Sequence, residues 1–359
     1  MDKIVFDNIV FCLQLFGGIS TYWYELSTRL LNDPDFDPYF ITGKNANLFE
    51  HRLDLSRTEK IIGQISSPLI IERFRNPQLK SIRVPFIFHS SYNRYCVNPQ
   101  ALNVSTVHDL IHYKYYMGVR KWVHNTQKSR ALMHSKAIIA VSENTKNDII
   151  NFFPQLDPEI ISVVYNGVSN DFFHINNATY QYELIEHFLI KNYILCVSSR
   201  EAYKNFNFII DVLEKLPDFY LYIVGPALKS EEIYVLNLKI PNRWKSFTAI
   251  TNKALNELYN HAHSFLYPSS YEGFGIPLLE AMKAFCPIIA LNSSSIPEVA
   301  GEAGVLINEL DVIEFTKAIE SIDSLRNILQ VKGKMQAEKF SWDKCYQETA
   351  FIYKKLSAV

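Results

Sequence analysis

Short apolar runs rich in Val, Ile and Phe alternate along the chain with longer segments whose apolar positions recur at helical spacing. In the first half KIVFDN, PYFITG, VPFIFHS, VSTVHD, KAIIAVS and IISVVYNG read as strands. Helices are predicted over Ile19–Leu31, around Trp122–His134 and from Glu143 onward. This is the βαβ rhythm of a parallel sheet covered on both faces. Residues 170–190, NDFFHINNATYQYELIEHFLI, break it. It then restarts: YILCVSS as strand, Asn205–Leu216 as helix, FYLYIVG as strand, Leu255–His263 as helix and SFLYPSS as strand. A helix entered through YEGFGIPLLE, the strand CPIIAL and a lone amphipathic helix in FSWDKCYQETAFIYKKL complete the pattern. The expected fold is α/β, with two Rossmann-like domains facing a central cleft. Residues 1–170 form the first domain, 171–190 a linker and 191–340 the second domain. Residues 341–359 form a helix that packs back on the first. Ligands of such sheets bind at the carboxyl ends of strands.

Composition narrows the function without naming it. Hydrophobic residues make up 48% of the 359 and charged residues 20%, with a net charge of −1. Two sizeable cores are affordable, and the whole chain has no nucleic-acid footprint. Cys12, Cys96, Cys196, Cys286 and Cys345 are odd in number and form no CxxC pair. They read as buried thiols in a reducing compartment, not as a zinc site. Asp7 and Asn8 interrupt the apolar N-terminus early, and no window of eighteen uninterrupted apolar residues occurs. A cytoplasmic location is therefore expected, with a membrane surface as a possible resting place.

The stretch YEGFGIPLLE, Tyr271 to Glu280, concentrates the candidate chemistry. A strand ends near Pro268, and Pro277 suits a first helical turn because its missing N–H costs nothing there. The free N–H groups of that turn favour an anion. Gly273 and Gly275, flanking Phe274 and followed by Ile276, let a ligand approach the backbone closely. Glu280, expected in the first turn, offers two acceptor oxygens to a vicinal diol such as a ribose, and Glu272 offers them to sugar hydroxyls.

YEGFGIPLLEAM resembles the paired-glutamate motif of the family 4 retaining glycosyltransferases, which have the GT-B fold. NELYNHAHSFLYPSS before it and SSSIPEVAGEAGVLIN after it continue the likeness. So do FGGIS at Phe16–Ser20, TVHDL at Thr106–Leu110, VSENTKNDI at Val141–Ile149, VYNGV at Val164–Val168 and REAYKN at Arg200–Asn205. The resemblance implies that Glu272 contacts the donor sugar, Glu280 the nucleotide ribose and Lys204 the diphosphate. Arg200, beside Ser199, is the candidate second cation, and Gly225 closes another strand at the donor side. Gly17 and Gly18 sit where the family's turn approaches the donor phosphates. His108 matches a histidine that faces the donor sugar, and Asp109, Tyr92 and Arg94 are candidate acceptor contacts. With Glu272, His108 and Lys204 as catalytic candidates, no metal and no cofactor are expected beyond a nucleotide-sugar co-substrate. The chain departs from the family at Phe285, where glycine is usual.

Three further readings frame this expectation. Asp33, Asp35 and Asp37 stand at alternate positions, as in a DxD metal site, but between Pro34 and Pro38 they read as turn residues. From Arg73 to Ser142 there are eleven Lys or Arg and one acid, Asp109, interleaved with aromatics such as Phe74, Phe86, Phe88, Tyr92, Tyr115 and Trp122. That strip is either a docking face for an anionic inner leaflet, serving a polyprenyl-diphosphate-linked glycan acceptor, or a solvated face whose aromatics belong to the core. The expected activity is transfer of a hexose-type sugar to a growing surface glycan, with GDP-mannose ahead of UDP or dTDP sugars. A non-catalytic nucleotide-sugar-binding partner is the alternative. A nucleotide-sugar oxidoreductase or epimerase would need a dinucleotide fingerprint, which GGISTYW does not supply.

Overall fold

The computed structural model describes residues 2–15, 17–53, 55, 60–65, 68–176, 179–184 and 192–358, without the side chains of 119–121. Phe16 of the FGGIS motif, part of the linker, and the side chains of Arg120 and Lys121 lie outside this set. The chain divides into two compact units, Met1–Gly167 with Trp342–Val359, and Val168–Ser341.

The first unit is built on seven strands: β1 (Asp2–Asp7), β2 (Phe36–Gly43), β3 (Ile61–Ile65), β4 (Phe86–Ser90), β5 (Ala101–Val107), β6 (Ala137–Ala140) and β7 (Ile161–Val163). They are parallel, in the order β3-β2-β1-β4-β5-β6-β7. The second unit has β8 (Tyr193–Val197), β9 (Tyr220–Val224), β10 (Trp244–Phe247), β11 (Ser264–Tyr267), β12 (Ile288–Leu291) and β13 (Gly304–Ile307). Its order is β10-β9-β8-β11-β12-β13, again all parallel. β4, β6, β11 and β12 are buried at every position, which is why they read as unbroken apolar runs. Each order reverses once, between β1 and β4 and between β8 and β11, so each sheet has one switch point where its carboxyl edge can receive a ligand.

The helix Trp342–Ser357 belongs to the first unit. Its Tyr353 is fully buried, and its hydroxyl lies 2.5 Å from His89 Nδ1 on β4. Arg29 Nε donates to Asp343 at 2.7 Å on the same packing face. The second unit's core gathers Ile209, Leu213, Ile223, Leu266, Ile289 and, from the helix Val312–Ala337, Phe315, Ile319 and Ile322. The Asp311 side chain caps that helix by accepting from Ile313 N and Glu314 N.

The aspartate triplet divides among separate partners. Asp33 caps Asp35 N at 2.9 Å and accepts from the Tyr346 hydroxyl, Asp35 pairs with Lys354, and Asp37 pairs with Lys60. Among the described residues no helix is long and apolar enough to cross a membrane.

Candidate functional site

The switch point of the second sheet assembles the paired-glutamate stretch. β8 runs into Ser198, Ser199 and Arg200, then into a short 3-10 turn, Ala202–Lys204. β11 runs into Pro268 and the loop that enters the helix Ile276–Lys283. Asn205, in a left-handed conformation at φ 55°, ties the two together by donating from Nδ2 to Pro268 O and Ser270 Oγ, both at 2.7 Å. Lys204 Nζ then meets both oxygens of Glu272, at 2.6 and 2.8 Å, with only 12% and 11% of the two side chains exposed. The ammonium also lies over the rings of Tyr203 and Tyr267.

Gly275 has φ 106°, a conformation that a side chain would strain, and it starts the helix. Pro277 follows at the second helical position, and Phe274 packs edge-on against Phe340. Glu280 is not in the first turn, which holds no acid; it stands in the second, because the helix begins only at Ile276. There its carboxylate accepts from the Tyr259 hydroxyl at 3.2 Å, and burial pushes its pKa up to about 7.

Three serines hold the loop from behind. Ser294 Oγ accepts from Glu272 N at 2.8 Å, Ser295 Oγ bonds the carbonyls of Glu272 and Phe274, and Ser293 Oγ bonds Ser269 O. Sequence reading saw these serines only as part of a likeness. Their supporting role is visible only once β12 is placed beside β11.

Arg200 sits beside this site with its guanidinium heavily engaged. Nε donates to Glu232 at 2.9 Å, and Nη2 donates to Pro226 O and Ala227 O at 2.8 and 2.7 Å. Nη1 is buried with no partner among the described residues. Gly225 lies against it: a Cβ there would come within 2.4 Å of Ser198 O, so the backbone contact requires glycine. Phe285, where the family's glycine was expected, has φ 60° and stacks on His174 at 4.4 Å between ring centres. The left-handed backbone is kept and a ring contact offsets part of its strain.

In the first unit, Gly17 precedes the helix Gly18–Leu31, and its carbonyl accepts from Thr21 N and Thr21 Oγ1. The fully buried Asn47 braces this turn by donating to Gln14 O at 2.7 Å and to Ser20 Oγ. No motif flagged Asn47. His108 and Asp109 follow β5 directly. The His108 ring meets Tyr22 edge-on, its Nε2 is buried without a partner among the described residues, and burial lowers its pKa to about 4. It is a neutral imidazole at neutral pH. Asp109 Oδ1 accepts from Ile111 N, and its carbonyl accepts from Lys128 Nζ at 2.6 Å. The Tyr92 hydroxyl lies 3.3 Å from His124 Nδ1. Arg94 is not placed for an acceptor. It is 1% exposed, pairs with both oxygens of the fully buried Asp7, and donates to Glu72 O and Arg75 O. An arginine stranded among apolar neighbours needs such a partner, and Asp7 at the end of β1 supplies it.

Residues 185–338 match the family described as Glycosyl transferases group 1, and residues 16–172 match Glycosyltransferase Family 4. The chain is 28% identical over 311 residues to the O-antigen chain mannosyltransferase B of Escherichia coli, spanning 80% of this chain and 81% of that protein. It is 26% identical over 226 residues to the O-antigen chain mannosyltransferase RfbU of Salmonella typhimurium, spanning 61% and 60%. Among solved structures it superposes on Anabaena HepE in complex with UDP-glucose with a TM-score of 0.71 at 15% identity, covering 100% of both chains. A glycosyltransferase from Rickettsia africae gives 0.73 at 19%, covering 99% and 98%. Two parallel sheets in these orders, with these neighbours, are the GT-B fold.

Proposed function

Since the chain belongs to the family 4 glycosyltransferases, we propose that it moves a hexose-type sugar from a nucleoside-diphosphate donor to a growing surface glycan. The reading holds that the anomeric configuration is retained and that no metal or other cofactor takes part. The bidentate Lys204–Glu272 pair at the switch point carries this reading. Lys204 stabilises the negative charge that develops on the departing diphosphate, and the positive dipole end of the helix Ile276–Lys283 adds to it. Glu272 accepts from sugar hydroxyls and Glu280 from the ribose diol. Gly273, Ile276 and Ser199 line the approach to these groups. The leaving phosphate oxygen takes the acceptor proton on the face it departs from, so no side chain is needed as nucleophile. The neutral His108 serves as a hydrogen-bonding group toward the sugar.

The names of the relatives favour mannose, and GDP-mannose is the first donor to assay. The acceptor is a lipid-linked glycan, approached by a membrane-facing surface of the first unit. Phe86 and Phe88 of the basic strip are core residues, whereas Trp122 is 69% and Met117 88% exposed, with Phe74, Ile70 and Ile71 also exposed near Arg75 and Lys80. Incubation with GDP-, UDP- and dTDP-sugars and a polyprenyl-diphosphate glycan tests the reading. Transfer that survives a chelator and gives a product of the donor's anomeric configuration supports it. Nucleotide binding without transfer to any acceptor overturns it. Flotation with anionic vesicles tests the surface, and the absence of salt-sensitive binding removes it.

A further inference from the structure

The carboxyl end of β5 opens onto a second cluster of titratable groups that the donor chemistry does not use. The helix Gly118–Met133 carries His124 and Lys128 one turn apart, and the short helix Ile111–Lys114 carries His112. The rings of His112 and His124 stack face to face, 4.1 Å apart and 5° from parallel. Tyr92 reaches His124 from the loop after β4, and Gln127 Nε2 donates to the carbonyl of Arg73. Lys128 Nζ donates to Asp109 O, which engages one of its three protons. Beside His108, two polar atoms here lack partners among the described residues: His112 Nδ1 and Arg73 Nε are both buried and unbonded. Glu72, next in sequence, is turned to Arg94 and Arg75, and Asp148 pairs with Lys114. Among the described residues Asp109 is thus the one acid facing three histidines and a lysine, with Arg73 beside His124.

We propose that this cluster is a phosphoryl-binding subsite, with Arg73, His112, His124 and Lys128 as its donors. The proposal rests on the acceptor reading above and extends it from the sugar end of the acceptor to a charged group near it. An anion suits the excess of Arg73 and Lys128 over Asp109, and its oxygens accept from orphaned donors that a neutral sugar would meet less fully. Burial and the neighbouring cations lower the pKa of His124 to about 4, and burial also depresses His112 and Lys128. A bound dianion opposes the push of the neighbouring cations and so favours a proton on one imidazole of the stacked pair.

Imidazole NMR on the full chain tests this directly, with His112→Gln and His124→Gln assigning the resonances. Inorganic phosphate is expected to shift the resonances of both rings saturably, one of them toward the imidazolium position, and geranyl diphosphate to do so at lower concentration. Lys128→Met and Arg73→Gln should each weaken the response by roughly ten-fold or more, the loss of one charge-assisted hydrogen bond. Lys204→Met should leave it unchanged, which separates this site from the donor site. A response to phosphatidylglycerol vesicles without one to geranyl diphosphate assigns the phosphoryl group to a headgroup, and the converse assigns it to the acceptor. Shifts that chloride reproduces at equal ionic strength, or that survive in both Lys128→Met and Arg73→Gln, overturn the proposal.

Discussion

Replacing Glu272 by Gln should separate nucleotide binding from transfer. In the ligand-free protein Lys204 gives two short, charge-assisted hydrogen bonds to one carboxylate in a nearly dry setting. Glutamine keeps the volume and one acceptor oxygen but loses the charge and the second bond. A hydrogen bond to a charged group is worth about 1.5–3 kcal/mol. The second unit should lose about that much stability, lowering its melting temperature by roughly 3–12 °C. The same release frees the ammonium for a diphosphate, which no longer competes with a carboxylate. Nucleoside diphosphate should therefore bind roughly ten-fold tighter to the variant, while transfer falls by roughly 100-fold because the sugar contact is gone. Calorimetric titration with the preferred nucleoside diphosphate, alongside a sugar-transfer assay, reads both quantities. If nucleotide affinity falls in step with transfer, Lys204 and Glu272 bind the donor as one unit and the competition argument is wrong.

Other consequences are as direct. Ser295→Ala leaves the Glu272 and Phe274 carbonyls without their buried donor, so equilibrium unfolding should show a loss of about 1–3 kcal/mol, with activity reduced through a loosened loop. Glu280 has its folded pKa raised from 4.5 to about 7, so its contribution is full below pH 4.5 and is lost as pH rises through 7. Wild type should fall relative to Glu280→Gln by an amount on the order of 2–3 kcal/mol between pH 5 and 8, seen in pH-dependent denaturation. Asp7→Asn strands the Arg94 guanidinium in the first core and should cost about 3–5 kcal/mol in a urea titration. Gly225→Ala must push Ser198 O away, so soluble yield and nucleotide binding should fall together.

What the sequence could reveal followed burial. The fully buried strands announced themselves because parallel strands covered on both faces are continuously apolar. The strands β3, β10 and β13 were not predicted, and all three are sheet edges with mostly half-buried positions. The long helix Val312–Ala337 also escaped, since Ile328, Val331 and Met335 leave apolar residues on its exposed side and blur the periodicity. Glu272 and Lys204 were legible because their motifs are local. The His112–His124 stack was not, because it depends on how two consecutive helices pack. The serines behind Glu272 and the Asn205 tie were not, because each joins segments far apart in sequence. Arg94 was misplaced for the same reason: nothing near it in the chain points to Asp7.

The return of Trp342–Ser357 to the first unit has a bearing on how the protein is made. Seven strands of that unit leave the ribosome before the helix that covers His89, Phe6 and Phe36 exists. Until some 170 further residues have been added, a growing chain carries an aromatic face open to water, the kind of surface that recruits chaperones or a neighbouring nascent chain. Loss of the closing helix by a late nonsense codon would thus harm the half of the molecule synthesised first.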